Sequence, residues 1–259
     1  MSVLQEILAS ISHGAAPGPA SYVVTASDLQ SLTQGNVIQK YADDTYLIVP
    51  ASNVVSCASE IARIEEWATK NNLALNRKKS AEIIFSAPRS RRDFAPPPTA
   101  ARFTRVALMK ALGVSFSNKF SFSSHVDNLL AACSQTLFAL RTLRAHGLPV
   151  HAIYAVYQAT VIGKLTYASQ AWWGFANAAD LERVEAFLRR SVKMGYRPEQ
   201  SPTFASICSA ADNKLFRNII NNTNHLLHPL LPALRSQYYS LRTRTHLHQL
   251  PTKTTLLDD

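Results

Sequence analysis

Two adjacent carboxylates, Asp43 and Asp44, are the residues of this sequence whose type and spacing point most directly to chemistry. They lie between two segments rich in aromatic and β-branched residues, Val37–Tyr41 and Tyr46–Val49, which predicts a β-hairpin with the aspartates at its turn. Carboxylates this close repel each other unless a cation sits over them, and their hard oxygen atoms suit Mg²⁺ or Mn²⁺. Two such ions can clamp the attacking and leaving oxygens of a phosphoryl transfer, provided that another strand supplies a further carboxylate. A solvated Asp-Asp turn is the alternative interpretation, because aspartate is common in turns.

The elements that must hold these carboxylates follow from the hydrophobic periodicity. Before residue 120 the pattern predicts helices over residues 1–12, Ser21–Leu32 and Ser56–Asn72. It predicts strands over Leu73–Leu75 and Ala81–Phe85, and a strand pair or a single strand over Val106–Phe116. After residue 120 the pattern is helical, and it predicts helices from Ser123 or Ser124 to the stop at His146-Gly147, over Val150–Ala168, over Ala179–Met194 and over Ala211–Leu227. A mixed part followed by an all-helical part indicates an α+β fold.

Composition limits the classes of protein that the chain can belong to. Hydrophobic residues make up 47% of the 259 residues, so the chain can bury a core. A net charge of +10, from 27 Lys and Arg against 17 Asp and Glu, suits a polyanionic partner such as nucleic acid, with a merely basic globular protein as the alternative. No segment is apolar enough to span or lie in a membrane. The isolated cysteines indicate buried thiols in a reducing compartment, and they do not distinguish nucleus from cytoplasm.

Basic residues are concentrated at three places. Two are loops, which contain Arg77-Lys78-Lys79 and then Arg89, Arg91 and Arg92. The third is the side of the predicted helix over Ala179–Met194 that lies opposite its apolar residues, with Arg183, Arg190, Lys193 and Arg197. All three could contact a phosphate backbone or could simply be solvated.

Several short motifs resemble those of reverse transcriptases of jockey-like (LINE-type) non-LTR retrotransposons, and they occur in the same order. They are Gly14–Pro19 for the QGSxxGP loop, Tyr41-Ala42-Asp43-Asp44 for YADD, Leu75–Ser80 for LxLNxxKS/T, Leu112-Gly113-Val114 with His125 for LGV…H, and Tyr167–Trp173 for the thumb. The resemblance implies a partial polymerase palm, an antiparallel sheet with helices, over residues 1–118. It implies an all-helical thumb over residues 119–200 and a helical extension and tail over residues 201–259.

The resemblance also implies an activity and a role for the hairpin. The parent activity would be RNA-directed DNA synthesis, with an RNA template, a DNA primer and deoxynucleoside triphosphates as partners. Asp43 and Asp44 would be catalytic and would bind Mg²⁺ or Mn²⁺, with Asp43 the more direct ligand.

Other residues receive roles by the same resemblance. Gly14 and Lys79 would lie near the incoming nucleotide, and Leu112 and Gly113 would help to place the primer 3′ end. The basic side of the helix over Ala179–Met194 would follow the nucleic-acid backbone. The sequence does not indicate an oligomeric state.

The sequence departs from the family's pattern at its N-terminal end. His13 and Ala15 stand where the family has Gln and Ser, and the twelve residues before His13 contain no aspartate. The family's other catalytic aspartate is expected on a strand in that region, so we expect little or no polymerase activity from this chain alone. The chain would then be a truncated element copy or a partial gene product. The alternatives are a non-catalytic nucleic-acid-binding protein derived from the element, and a product that folds poorly because a sheet edge is exposed.

Overall fold

The computed structural model describes residues 24–85, 97, 103–234 and 248 of the chain. The predictions for the loop with Gly14 and for the arginines Arg89, Arg91 and Arg92 lie outside these residues. The chain divides into two compact units, Met1–Met109 and Lys110–Asp259. The domain boundaries predicted at residues 118 and 200 stay predictions. In the part of the chain that the structure describes, no helix is both long and apolar enough to cross a membrane.

The described part of the first unit contains a hairpin, the helix that follows it and a short two-stranded parallel sheet. Strands β1 (Val37–Tyr41) and β2 (Asp44–Ile48) pair antiparallel, and helix α1 spans Cys57–Lys70 after a 3₁₀ turn at Ala51–Ser56. Its small core consists of Ala26, Leu29, Ile64, Trp67 and Ala68, and Ile38, Leu47 and Leu75 pack against it. An ion pair lies on the exposed side of α1, with Lys70 Nζ 3.5 Å from Glu66 Oε1.

The connection after α1 differs from the prediction. Leu73–Leu75 is not a strand, because Asn72 takes a left-handed φ of 54° and the amide of Leu73 donates to Ala68 O at 2.8 Å, which closes the helix end. Only Ala81–Glu82 (β3) of the next predicted strand is extended. It pairs in parallel with Thr104–Arg105 (β4), so this sheet is not antiparallel as predicted.

Strand β5 (Leu108–Ala111) crosses the boundary between the two units and forms a hairpin with strand β6 (Val114–Ser117). Helices follow at α2 (Ser123–Ala145), α3 (Val150–Tyr157), α4 (Gly163–Thr166), α5 (Ala178–Lys193) and α6 (Phe204–Asn221). A π-helical segment, Gln158–Ile162, joins α3 to α4. Their shared core includes Val126, Cys133, Leu140, Ile153, Val161, Leu165, Trp172, Val184, Leu188, Phe204 and Cys208.

Local signals set the ends of these helices. Gly147, with a φ of 90°, ends α2 as predicted, and the amide of Leu148 donates to Leu143 O at 3.1 Å. Gly195, with a φ of 72°, ends α5 in the same manner. The last helix was predicted from residue 211, but it begins seven residues earlier because Thr203 caps it by accepting a hydrogen bond from the amide of Ser206.

The mixture of helices and small sheets agrees with the predicted α+β class. Two of the three cysteines, Cys133 and Cys208, are fully buried, and burial raises the pKa of each thiol to about 11. Cys57 is half-buried at the start of α1. The thiols therefore do not form a disulfide among the described residues, in agreement with the sequence.

Candidate metal centre and nucleic-acid interface

The hairpin that carries the two aspartates is short and tightly registered. Tyr41 pairs with Asp44 across a two-residue turn made of Ala42 and Asp43. Ala42 has a φ of 50°, a left-handed conformation that favours glycine and costs energy for an alanine. Both aspartates are exposed at this tip, and Tyr46 Oη donates to Asp44 Oδ2 at 3.5 Å. The structure thus presents adjacent carboxylates on a defined turn.

Lys40 is the nearest basic residue in sequence, but its side chain serves another purpose. Its ammonium donates to the carbonyl oxygens of Ala26 and of Leu29, the latter at 2.8 Å. Those carbonyls belong to the first residue of the 3₁₀ turn Ala26–Asp28 and to the residue that follows the turn. Lys40 therefore ties the hairpin to the preceding turn.

A buried carboxylate, Glu60 on α1, holds the loop that leads into the hairpin. Its two oxygens accept hydrogen bonds from the amides of Leu32 and Thr33 and from Asn36 Nδ2, at 2.8 to 3.1 Å. Burial acts to raise the pKa of Glu60, but these hydrogen bonds outweigh it and lower the pKa below its usual 4.5. Asn36 also accepts from Asn53 Nδ2 at 3.0 Å. This network fixes where β1 begins.

The donor set at the tip suits a hard divalent cation only in part. Carboxylate oxygens are the ligands that Mg²⁺ and Mn²⁺ prefer, and exposure leaves both groups accessible. Among the described residues, however, no cluster of three or more Asp, Glu, His or Cys side chains is placed to hold a metal. The hairpin therefore offers two carboxylates of a site that would need at least one more.

Lys79 lies on a turn that follows α1. The amides of Lys79 and Ser80 both donate to Asn76 O at 3.0 Å, and Lys79 is exposed. Its neighbour Arg77 is ion-paired with Glu65 at 2.8 Å, so only part of this basic cluster is uncommitted. The other predicted nucleotide-binding residue, Gly14, lies outside the described residues.

Leu112 and Gly113 form the two-residue turn of the β5–β6 hairpin. Both have left-handed backbones, with φ of 46° and 89°, as a type I′ turn requires. Tyr167, which follows α4, braces this tip because its hydroxyl donates to Leu112 O at 3.1 Å. A Cβ atom at Gly113 would lie 3.0 Å from the Tyr167 ring. The structure thus brings together two motifs that are 55 residues apart.

We expect Gly113→Ala to destabilise the second unit more than Gly147→Ala does. Both glycines have a φ near 90°, so each alanine suffers about 1 kcal/mol of backbone strain. Nothing lies within 4 Å of a Cβ at Gly147, whereas at Gly113 the Tyr167 ring must move. Losing the hydrogen bond to Leu112 adds about 1 kcal/mol. Urea unfolding of the two variants measures the difference, and equal losses would show that Tyr167 does not brace the tip.

Buried residues beneath this hairpin connect it to the helices. His125 Nδ1 accepts from the amide of Ser115 at 3.4 Å, and its ring lies edge-on to Trp172 with centroids 5.1 Å apart. Burial, together with the charge of Lys110, lowers the pKa of His125. Trp172 Nε1 in turn donates to Tyr167 O at 3.2 Å. Trp172 is therefore a core residue.

The basic side of α5 carries less free charge than its sequence suggests. The guanidinium of Arg183 lies 2.6 Å from Asp127 and 3.0 Å from Asp180, and these carboxylates raise its pKa. Arg190 and Lys193 are exposed. These two residues carry the positive charge that the structure leaves for a partner on this helix.

The prediction that Arg197 shares the exposed side of this helix is wrong. Helix α5 ends at Lys193, and Gly195 turns the chain so that Arg197 is only 7% exposed. Its guanidinium donates to the carbonyl of Pro202, and burial lowers its pKa. Arg197 lies three residues beyond the predicted helix end at Met194, and the turn at Gly195 breaks the helical periodicity that assigned it to the basic side. Arg197 therefore holds the connection between α5 and α6.

Comparison with known proteins shows which proteins the chain is similar to, which the geometry alone does not show. An RNA-directed DNA polymerase from the mobile element jockey of Drosophila melanogaster is 24% identical over 207 residues, which cover 74% of this chain. The corresponding protein of Drosophila funebris matches to the same extent. The chain is similar in sequence to the RNA-directed DNA polymerases of jockey-type mobile elements. The resemblance inferred from the short motifs is thereby confirmed. No protein-family model and no solved structure matches the chain.

The chain spans only 22% of the length of these jockey polymerases. The similarity therefore concerns a segment of a much larger protein. Sequence reasoning missed the function of Tyr167 as a brace, because no periodic pattern links it to Leu112. It also missed Asp127 as the partner of Arg183, since opposite charges in separate helices give no signal in a single sequence.

Proposed function

We propose that this chain is the part of a retrotransposon reverse transcriptase that carries the Asp-Asp hairpin and the helices after it. The observation that carries the proposal is the pair of exposed aspartates at the tip of the β1–β2 hairpin, in a chain similar to jockey-type polymerases. In this proposal the first unit is a partial palm and the helices of the second unit form the thumb. The substrates are an RNA template, a DNA primer and deoxynucleoside triphosphates.

Asp43 and Asp44 would hold Mg²⁺ or Mn²⁺ in this proposal. The bound ions would stabilise the charge that develops on the phosphoryl oxygens during nucleotide addition. Two features of the chain prepare the carboxylates for this role. The turn at Ala42 fixes the backbone from which they project, and the Lys40 ammonium donates to two carbonyl oxygens, so that it does not neutralise them.

The remaining contacts with nucleic acid would come from residues that the two units present separately. Lys79 would approach the nucleotide phosphates, and Leu112 and Gly113 would contact the primer end. Arg190 and Lys193 would follow the phosphate backbone. The net charge of +10 supports this part of the proposal, because cations that neutralise phosphates release counterions.

We further propose that the 259-residue chain does not polymerise DNA by itself. Two-metal transfer needs a carboxylate in addition to an adjacent pair, and the described residues do not group a third one with Asp43 and Asp44. The same observation favours a second candidate function, that of a non-catalytic nucleic-acid-binding protein derived from the element. Both candidates predict that the chain binds nucleic acid. They differ in the metal site: as part of a polymerase the chain needs a further carboxylate beside Asp43 and Asp44, whereas a non-catalytic binding protein needs none.

A primer-extension assay tests these proposals. The chain is mixed with an RNA template annealed to a labelled DNA primer, with nucleotides and either Mg²⁺ or Mn²⁺. We expect binding in a gel shift that weakens steeply as NaCl rises, and no extension. Extension that disappears in an Asp43→Asn variant would contradict the proposed inactivity. Binding that ignores salt would contradict a nucleic-acid role for the chain. Glu199→Gln, at an exposed carboxylate on the connection to α6, is the matched control.

A further inference from the structure

A closed ring of contacts ties the β5–β6 hairpin to the helices of the second unit. Tyr167 Oη donates to Leu112 O at the tip of the hairpin, and Trp172 Nε1 donates to Tyr167 O. The indole of Trp172 lies edge-on to the ring of His125, with centroids 5.1 Å apart. His125 Nδ1 accepts from the amide of Ser115 on β6, three residues after Leu112, which closes the ring of contacts. We call these five residues the hairpin latch.

His125 is the residue of the hairpin latch whose charge changes nearest to neutral pH. Its side chain is buried, with only 4% of the residue exposed. Because Ser115 donates to Nδ1, the neutral ring carries its proton on Nε2, which has no hydrogen-bond partner among the described residues. A proton added to Nδ1 would set two N–H donors against each other, one on the ring and one on Ser115. The contact with Ser115 therefore exists only while His125 is neutral.

The surroundings of His125 oppose a positive charge. His125 is the third residue of α2, and the free amides at the N-terminus of a helix disfavour a cation. Burial, which is the larger effect, and the charge of Lys110 on β5 lower the pKa of His125 below its ordinary value of 6.5. The structure therefore keeps this histidine neutral at neutral pH.

The carboxylates of the neighbouring elements are held by other groups. The elements around His125 carry Lys110 on β5, Asp127 on α2, Tyr167 after α4, Asp180, Arg183 and Glu185 on α5, and Cys208 and Asp212 on α6. Asp127 and Asp180 are ion-paired with Arg183, at 2.6 and 3.0 Å. Glu185 accepts from the amide of Phe204 at 2.7 Å, and Asp212 accepts from Trp173 Nε1 at 2.8 Å. One of these carboxylates could neutralise a protonated His125 only by giving up its present contact.

We propose that the hairpin latch is acid-sensitive: a proton taken up from solvent by His125 Nδ1 breaks the hydrogen bond with Ser115 and releases the Leu112-Gly113 turn from the helices. His125 contacts both Ser115 and Trp172, so its displacement loosens the strand and the Tyr167 brace together. The inference goes beyond the proposed function, because it concerns the conformation of the hairpin whether or not nucleic acid is bound.

The pH range of the release follows from linkage between protonation and opening. Histidine in an unfolded chain has a pKa of about 6.5, and the pKa of His125 in the folded chain is lower. The contribution of His125 to stability is therefore fully present above about pH 6.5 and is lost as pH falls through the folded-state pKa. Between the two pKa values, the equilibrium constant for an opening that exposes His125 rises by up to about tenfold per pH unit.

Hydrogen exchange of residues 110–117 in the full chain, divided by the intrinsic exchange rate at each pH, measures this opening. We expect protection to be constant above about pH 6.5 and to fall below it by up to about tenfold per pH unit. An NMR titration of the His125 Cε1 proton in the same protein should give a pKa below about 6.5. A pKa at or above that value would overturn the proposal, as would protection that stays constant down to the titration midpoint of His125.

Three variants identify the group responsible. His125→Asn keeps an oxygen that can accept from Ser115 and takes up no proton, so its protection should not depend on pH in this range. His151→Asn, which removes an exposed histidine from α3, is the matched control and should behave like the wild type. Tyr167→Phe removes the hydroxyl that holds Leu112 O, so it should lower protection at every pH and keep the pH dependence.

The outcome for His125→Asn decides between His125 and other titrating groups. A folded His125→Asn variant that keeps the wild-type pH dependence would assign the release to another group and overturn the proposal. If this variant does not fold, the titration of His125 and the exchange of residues 110–117 in the wild type decide the test by themselves. Glu60 does not disturb this measurement, because it lies in the first unit and the exchange is read in the second.

Discussion

Replacing Glu60 with Gln is expected to destabilise the first unit by about 2–3 kcal/mol. The carboxylate accepts hydrogen bonds from Leu32, Thr33 and Asn36, and it is completely buried on α1. Glutamine has nearly the same shape, but its amide nitrogen is a donor that would face the amide of Leu32 or Thr33. One buried N–H would then lose its acceptor, and the loop before β1 would loosen.

Hydrogen–deuterium exchange of the α1 and β1 segments, followed through a urea series, measures this loss for the first unit alone. Glu66→Gln is the matched control, because Glu66 lies on the same helix, is exposed and makes only the surface pair with Lys70. Glu66→Gln should lower the free energy of unfolding of the first unit by less than about 0.5 kcal/mol. Similar protection in both variants would show that the Glu60 network does not hold the hairpin.

The Glu60 variant should also change the dependence of stability on pH. The hydrogen bonds lower the folded-state pKa of Glu60 below 4.5, so its contribution is fully present above the unfolded pKa. That contribution is lost as pH falls through the lower folded-state pKa. The wild type should therefore lose stability below about pH 4.5 more steeply than Glu60→Gln, and the two curves should converge in acid.

Replacing Trp172 with Ala should destabilise the second unit by about 3–5 kcal/mol. Trp172 is fully buried, stacks on Phe204 with centroids 5.9 Å apart and meets His125 edge-on. Its removal leaves a large cavity where α6 packs against the rest of the unit. It also removes the donor to Tyr167 O, so the brace of the Leu112-Gly113 turn should weaken as well.

Two further variants serve as comparisons for Trp172→Ala. Phe138→Ala removes an aromatic ring from α2 that is 72% exposed, and it should change the unfolding midpoint little. Trp172→Phe keeps an aromatic ring but removes the indole donor, so it should fall between the wild type and Trp172→Ala. Denaturant unfolding followed by circular dichroism orders the three. A loss in Trp172→Ala no larger than in Phe138→Ala would contradict the assignment of Trp172 to the core.

How much the sequence revealed depended on whether the signal was local. The hairpin at Asp43-Asp44, the start of α2 at Ser123 and its end at Gly147 were all predicted, because turn residues and glycines act within a few positions. The strand predicted over Leu73–Leu75 is absent because the amide of Leu73 donates to Ala68 O, in the hydrogen bond that closes the end of α1. The parallel pairing of β3 with β4 joins segments about twenty residues apart, and no local pattern encodes it.

The candidate site shows the same division. The adjacent aspartates predicted a hairpin turn, and the structure places Asp43 and Asp44 on an exposed two-residue turn, whereas their binding of metal stays a prediction. The availability of basic groups was not evident. Arg183 is neutralised by Asp127 from another helix, and Arg197 is buried against Pro202, so charge counting overstated the basic side of α5.

The left-handed conformation of Ala42 in the β1–β2 turn would affect the free energy with which a cation binds there. A glycine at position 42 would sample several turn geometries, and an arriving ion would have to select one of them at an entropic cost. Alanine disfavours the left-handed region, so the register of the β1–β2 hairpin holds Ala42 at its φ of 50°, and folding has already met this conformational penalty. The backbone that carries the two aspartates is therefore preorganised: the energetic cost of the turn falls on the stability of the hairpin and not on affinity for an ion.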